Sequence, residues 1–362
     1  MKSPWTLFYV LLLSSQIVVC YLRPYYNWDM LGNMGCVISM EEKNIDSIHT
    51  KTYRAAQLEL PAKDFVTLTQ LNEYRQKNFS DASFFHTRLK LYWIKPLYVF
   101  FVFILYRAGI PLVMATLIPS LASLLCMGLL FFFWLRKYLS PPYATIIASL
   151  IMLSPPFWVA ARYSTADAFA ALFVFSAFYF MIGKKKSIVA LVLMLVATLV
   201  RLDLALLAIM MIAFMMIPIN QEGQISRVTA YTYSALVMVM AATISFFTGN
   251  FGANAIEYYN WGDATSNTAE NYFRKLAEIL LQLRYSHVTI FIAIAFMGFM
   301  AHSLQNWKTN RDVWIVLLLL LYIIFHYLLY PGLDDRFFIA EYLILSVIGV
   351  KYFVSANVHV LQ

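Results

Sequence analysis

WDMLGNMGCVISMEEKNIDSIHTKTYRAAQLELPAKDFVTLTQLNEYRQKNFSDASFFHTRLKLYWIKPL, residues 28–97, is the long polar stretch of a chain that is otherwise almost wholly hydrophobic. It opens with Trp28-Asp29-Met30, soon after the first apolar run, and closes with Lys95-Pro96-Leu97, where apolar sequence resumes. Its composition mixes charged and aromatic residues with the apolar spacing of short surface helices. With lipid-embedded segments on both sides, it becomes a loop laid over a membrane frame, with a carboxylate at one end and an ammonium at the other.

The rest of the chain supports that frame. Of 362 residues, 61% are hydrophobic and 13% are charged. So little charge cannot cover the surface of a soluble domain of this size, and the missing solvent is lipid. Apolar runs of about twenty residues recur from end to end, the length that crosses a bilayer as a helix. The net charge of +8 is scattered through the connecting segments, with no basic stripe, so no nucleic-acid partner is expected. Cys20, Cys36 and Cys126 lack metal-site spacing, and His86, His287, His302 and His326 read as isolated. No metal or other cofactor is therefore expected.

The predicted fold class is an all-α polytopic membrane protein of about ten transmembrane helices, in one domain covering 1–362. Residues 5–21 form the first span, with Lys2 in front and no small-residue cleavage site after it, as in a retained anchor. A first extracytoplasmic loop with interfacial helices covers 22–109, and residues 96–107 form one of those helices. Spans follow at 111–135, 141–153 and 165–182. Residues 187–219 are too long for one span and short for two. They predict a tight helical hairpin with Arg201 and Asp203 at its tip. Further spans lie at 228–248, 288–303, 313–330 and 337–353. A second extracytoplasmic loop at 249–287 carries an amphipathic helix over 271–284. In short loops, Lys2, Arg136, Lys137, Lys184, Lys185, Lys186, Arg227, Lys308, Arg311 and Lys351 fall on one side. Arg162, Arg201, Arg274, Lys275, Arg284 and Arg336 fall on the other. Cytoplasmic loops carry the basic excess, which places both termini in the cytoplasm and the long loop outside.

With that topology, Asp29, Lys95, Arg162, Asp167, Arg201, Asp203, Asp334, Asp335 and Arg336 all come to the outer ends of spans. Ionisable groups near a bilayer are costly unless paired or wet, so a cluster on one face suggests a shared polar site. Carboxylates beside fixed cations suit one chemistry. A carboxylate takes a proton from an acceptor hydroxyl, and the cations stabilise a departing phosphate. Structural readings compete with this. Asp29 can be a solvated loop acid and Lys95 a snorkelling lysine. Ser164 to Asp167 fits a capping box. Arg201 and Asp203 can simply pair at a hairpin tip. Arg336 sits near a helix N-terminus, where a cation is disfavoured by the dipole, so it answers an anion.

In four places the chain resembles the GT-C superfamily of integral-membrane glycosyltransferases, of the protein O-mannosyltransferase and lipid A aminoarabinose transferase type. They are Trp28-Asp29-Met30 after the first span, Ile94-Lys95-Pro96-Leu97-Tyr98 at the loop's end, Arg162-Tyr-Ser-Thr-Ala-Asp167, and Asp335-Arg336-Phe337-Phe338 before the last span. Lys95 is followed by one proline where the family has two, and Asp29 lacks a second acid beside it. The resemblance implies transfer of a hexose or pentose from a polyprenyl-phosphate sugar to the hydroxyl of a glycan, lipid or protein acceptor, with inversion. Asp29 would be the catalytic base. Lys95 and Arg336 would hold the donor phosphate, with Arg162 and Arg201 as weaker candidates and Asp167, Asp203 and Asp335 as supporting acids. A bacterial inner membrane, with the active site facing the periplasm, is the expected location. The rival readings are a transporter or lipid flippase, and a non-catalytic membrane subunit of an envelope-assembly complex. Asn78-Phe-Ser80 also has the form of an N-glycosylation acceptor.

Cysteines placed in the 28–97 loop are expected to react with an impermeant reagent added from outside, and a cysteine at Lys185 is not. The reverse pattern of labelling inverts the topology.

Overall fold

Apolar runs with no water to bond their backbone satisfy it internally, as helices. The computed structural model describes residues 3–217, 224–249, 286–301, 310–329 and 334–356, with isolated positions between 274 and 282. These residues form helices and no strand. One isolated parallel bridge joins Tyr25 to Tyr163.

Helix α1 (Pro4–Leu22) packs on the long α9 (Leu112–Leu135) and on α10 (Pro141–Met152). Two of its polar residues point inward to backbone carbonyls of neighbouring helices. The Tyr9 hydroxyl donates to the Gly128 oxygen at 2.8 Å, and the Gln16 amide donates to the Met152 oxygen at 2.7 Å. A buried donor without a partner costs more than a bond adds, so these contacts fix the register of α1.

The polar stretch folds into α2 (Trp28–Ser39), α3 (Ile45–Glu59), α4 (Ala62–Gln70), α5 (Glu73–Ser80), α6 (Ala82–Arg88), α7 (Lys90–Trp93) and α8 (Pro96–Arg107). Only part of it lies on the surface. Met30, Leu31, Met34, Cys36 and Val37 of α2 are fully buried, so α2 belongs to the core. Glycine makes that possible. A Cβ on Gly32 would overlap the Tyr92 ring, and one on Gly35 would come within 2.7 Å of Leu89. The stretch is also tied to the spans by a cap. Pro111 opens α9 without a capping side chain, and Glu59 supplies one from α3. Its two carboxylate oxygens accept the Leu112 and Val113 N–H groups at 3.0 and 2.7 Å. Asn78 is fully buried and its amide donates to the Tyr74 oxygen, so the folded chain offers no glycosylation acceptor there. Cys20 and Cys36 are both buried and unpaired.

Beyond α10, α11 (Pro155–Arg162) is bent from it by 61°. Then come α12 (Asp167–Phe178), extended by a π turn to Gly183, and the pair α13 (Ser187–Val200) and α14 (Leu204–Met216). These are followed by α15 (Arg227–Thr248), α16 (His287–Ala301) and α17 (Arg311–Leu329). A 3-10 turn (Asp335–Phe338) leads into α18 (Ile339–Ala356). Helices α16 and α18 approach closely at Gly349, where an added Cβ would lie 2.7 Å from the Ile294 oxygen.

Each expected span that falls in described residues is helical, yet the expectation of ten full crossings is not met. Among the described residues five helices are long and apolar enough to cross, namely α1, α9, α15, α17 and the last, or seven with the two bent pairs. The reason is length. Helices α10, α13 and α14 have 12, 14 and 13 residues. At 1.5 Å per residue they span about 18–21 Å, short of a hydrocarbon core of about 30 Å. Proline at 155 opens the second helix of the 141–162 pair, Lys95-Pro96 separates 82–93 from 96–107, and Arg201 to Asp203 separates α13 from α14. Residues 96–107 form a helix of their own, turned by 111° from 82–93. The second loop at 249–287, with its helix over 271–284, lies almost wholly outside the described residues, as do Lys308 and the end of the hairpin at 218–219.

Gly32→Ala is expected to lower the unfolding temperature of the detergent-purified protein, because overpacking costs roughly 1–3 kcal/mol. Gly109→Ser, at a glycine with nothing near its Cβ position but a positive φ, serves as the comparison for backbone strain alone.

Candidate functional site

The turns at the ends of four helices deliver charges to one place. Asp29 lies in the first turn of α2, behind the N-cap Asn27, whose amide donates to Asp29 Oδ2 at 3.2 Å. Asp167 begins α12. Its turn is held by Ser120 of α9, whose hydroxyl donates to the Tyr163 and Thr165 oxygens at 2.8 and 3.1 Å. Thr165 Oγ1 in turn donates to Asp167 Oδ2 at 2.7 Å. The capping box expected over Ser164 to Asp167 is not formed. Ala166 is the N-cap, and the Ser164 hydroxyl is buried without a partner among the described residues.

Two arginines join these acids. Arg201, 5% exposed, has Nη1 3.2 Å from Asp167 Oδ1, and its Nε donates to Asp203 Oδ1 at 3.1 Å, with Nη2 paired to Oδ2 of the same Asp203. Arg336 Nη2 donates to Asp29 Oδ2 at 3.4 Å, across 307 positions of sequence. Arg336 Nε lies 2.6 Å from Asp334 Oδ2 and 3.3 Å from Asp167 Oδ2, without the alignment of a hydrogen bond. Arg336 Nη1 is buried and has no partner among the described residues. Both guanidiniums stand over the Phe337 ring, at 4.8 and 5.1 Å, and Arg336 also stands over Tyr163 at 4.8 Å. The result is one continuous chain, Asp29–Arg336–Asp167–Arg201–Asp203, with Asp334 on its rim and His326 Nδ1 3.6 Å from Asp203 at its inner end.

The other expected residues stand differently. Lys95 is the N-cap of α8. Its ammonium lies 5.5 Å from the Tyr92 ring centre, and its charge acts on Asp167 and Cys36. Arg162 is outside the network. Its Nε donates to the Arg23 oxygen at 2.5 Å and its guanidinium faces Tyr25, so it fastens the chain after α1 to the turn before α12. Asp335 points away from Arg336, to His287 Nδ1 at 2.6 Å and to the Tyr342 hydroxyl at 2.6 Å. Two of the histidines read as isolated are therefore not, since His287 has Asp335 and His326 has Asp203, whereas His302 lies outside the described residues. No group of three or more metal-capable side chains occurs among the described residues.

Accessibility ranks the acids. Asp29 and Asp334 keep 21% and 35% of their side chains open, whereas Asp167 keeps 6%. Asp334 belongs to the expected cluster of charges without a role of its own, and the structure pairs it with Arg336. Burial pushes the Asp334 carboxyl above the usual carboxylate range; Arg336 opposes this and the charge of Asp167 reinforces it. That direction agrees with the balance of charge, four carboxylates (Asp29, Asp167, Asp203, Asp334) against two guanidiniums. Asn27 and Ser120 support the site without any sequence motif to mark them, whereas Tyr163, Thr165 and Phe337 lie inside the quoted motifs, which give them no role.

No protein family, no curated protein and no solved structure matches this chain.

An acid whose folded pKa is raised binds its proton more tightly folded than unfolded. Its stabilising contribution is complete below the unfolded value of about 3.9 and is lost as pH rises through the folded value. Asp334→Asn keeps the shape and removes the charge. Its stability relative to wild type is expected to increase as pH rises from about 4 to 7, read as the difference in unfolding temperature. A difference that is flat with pH overturns this.

Proposed function

We propose that the protein is a membrane glycosyltransferase that moves a sugar from a polyprenyl-phosphate donor to an acceptor hydroxyl, with inversion at the anomeric carbon. The observation that carries the proposal is the pairing of Arg336 with Asp29. A guanidinium with a buried nitrogen unpartnered among the described residues stands beside a carboxylate that is partly open. A buried donor without an acceptor is costly, and a phosphate oxygen satisfies it with a charge-assisted bond. The four motifs that resemble the GT-C superfamily support the same reading.

In this mechanism Asp29 accepts the proton of the acceptor hydroxyl. The hydroxyl oxygen forms its bond to the anomeric carbon as the bond from that carbon to the phosphate oxygen breaks on the opposite face. The polyprenyl phosphate leaves with the electron pair, and Arg336 and Lys95 stabilise its charge. Arg201 is held by Asp167 and Asp203, and Arg162 by a backbone oxygen, so both act on the frame and not on the phosphate. The acids Asp167 and Asp203 keep the two guanidiniums in place. An outward-facing site in a bacterial inner membrane is the setting proposed with this activity, and the acceptor is a glycan, lipid or protein hydroxyl.

The bent pair at 141–162 and the short helices α13 and α14 give weight to a second reading. Broken helices around a charged site also occur in transporters. The two readings part on turnover: a transporter leaves the sugar–phosphate bond intact.

Purified protein given polyprenyl-phosphate sugars is expected to release polyprenyl phosphate and glycosylated acceptor. Asp29→Asn is expected to fold, bind donor and transfer about 10²–10⁴-fold more slowly. Wild-type rates from that variant would move the base to Asp334, and no transfer by the wild type with any such donor would sink the proposal.

A further inference from the structure

The 3-10 turn at Asp335–Phe338 sends successive side chains about a third of a turn apart. Arg336 goes to the ion-pair chain. Asp335 goes the other way, to the start of α16, where the transfer chemistry has so far used nothing. Its Oδ2 lies 2.6 Å from His287 Nδ1. Its Oδ1 accepts the Tyr342 hydroxyl at 2.6 Å and the Ser286 hydroxyl at 3.4 Å. Tyr342 is fully buried and stacks on Phe291 with ring centres 4.4 Å apart, so the carboxylate is gripped from behind. Tyr327, from α17, lies close enough to feel the same charge.

A carboxylate on Nδ1 fixes the imidazole tautomer. The proton stays at Nδ1 and the lone pair is left on Nε2. That nitrogen has no hydrogen-bond partner among the described residues, and 33% of the His287 side chain is exposed. The imidazole thus has an occupied back and an open front. It is also close to the site, because Asp335 is covalently joined to both Asp334 and Arg336. The chemistry of the open atom selects its ligand. A lone pair repels phosphate oxygens and accepts a hydroxyl hydrogen.

We propose that His287 is a substrate-contacting residue of this site, whose Nε2 accepts a hydrogen bond from a sugar hydroxyl, and that Asp335 is the residue that positions it. This rests on the glycosyl-transfer reading above. The hydroxyl belongs either to the donor sugar or to the acceptor, and the kinetics separate the two.

The test is steady-state transfer by the whole purified protein, together with carbethoxylation of His287 by diethyl pyrocarbonate, followed by mass spectrometry. His287→Ala is expected to raise KM by about tenfold for one substrate while kcat changes less. A raised donor KM assigns the donor sugar, and a raised acceptor KM assigns the acceptor. His287→Gln, whose side-chain oxygen can still accept, recovers part of the loss. Asp335→Asn shares the defect, and the double variant adds little to it. In the wild type, the same substrate slows carbethoxylation of His287, a readout that survives even if a variant fails to fold. Unchanged KM values in an active His287→Ala protein overturn the proposal. So does carbethoxylation at an equal rate with either substrate saturating. A wild type that transfers no sugar sinks the parent reading, whereas a wild type that transfers and an alanine variant that matches it sink only the role of His287.

Discussion

Burial of Arg201 between Asp167 and Asp203 is the constraint on which the rest depends. A guanidinium that is 5% exposed cannot shed its charge and cannot stand alone, since the desolvation of an unpaired ion is several kcal/mol. Removing one partner of such a pair typically costs about 3–5 kcal/mol, because the other charge is left stranded. Asp167 therefore has to reach Arg201, which fixes the start of α12 against the break between α13 and α14. Asp167 also has to meet Arg336, which fixes the turn before the last helix. Arg336 in turn fixes Asp29 and the first turn of α2. Segments from the beginning, middle and end of the chain are held together by alternating charges.

Alternation does not bring the cluster to neutrality. Four carboxylates face two guanidiniums, and the Lys95 charge acting on Asp167 only partly offsets the difference. The upward push on Asp334 follows from that excess as well as from burial. Arg336 opposes that push, so Asp334 and Arg336 are tied to each other within the excess of negative charge. The least buried acid of the set is thus also the one whose charge is least secure.

The polar stretch after α1 is part of this arrangement. Glu59 caps α9, and α9 carries Ser120, which holds the turn that presents Asp167. Gly32 lets the Tyr92 ring close on α2, two positions from the break that leads to Lys95. The stretch therefore orders both ends of the site: Asp29 in its first turn and Lys95 at its close.

What the sequence by itself determined is the helical segments and which charges stand at their ends. Hydropathy is a local sum over neighbouring residues, so runs such as 111–135, the hairpin with Arg201 and Asp203 at its tip, and the final helix are legible from composition alone. The number of full crossings was not, because a run of apolar residues does not reveal where a helix bends. The partners were not legible either. Asp29, Asp167, Asp203 and Arg336 each stood out as a charge beside an apolar run, yet nothing in the spacing says that Arg336 meets Asp29 across 307 positions. Nor does it say that Arg162 is taken by a backbone oxygen, or that Asp335 turns from its neighbour to His287. Only the tertiary structure decided these, because an ion pair forms where packing brings two charges together, and packing is a property of the whole chain.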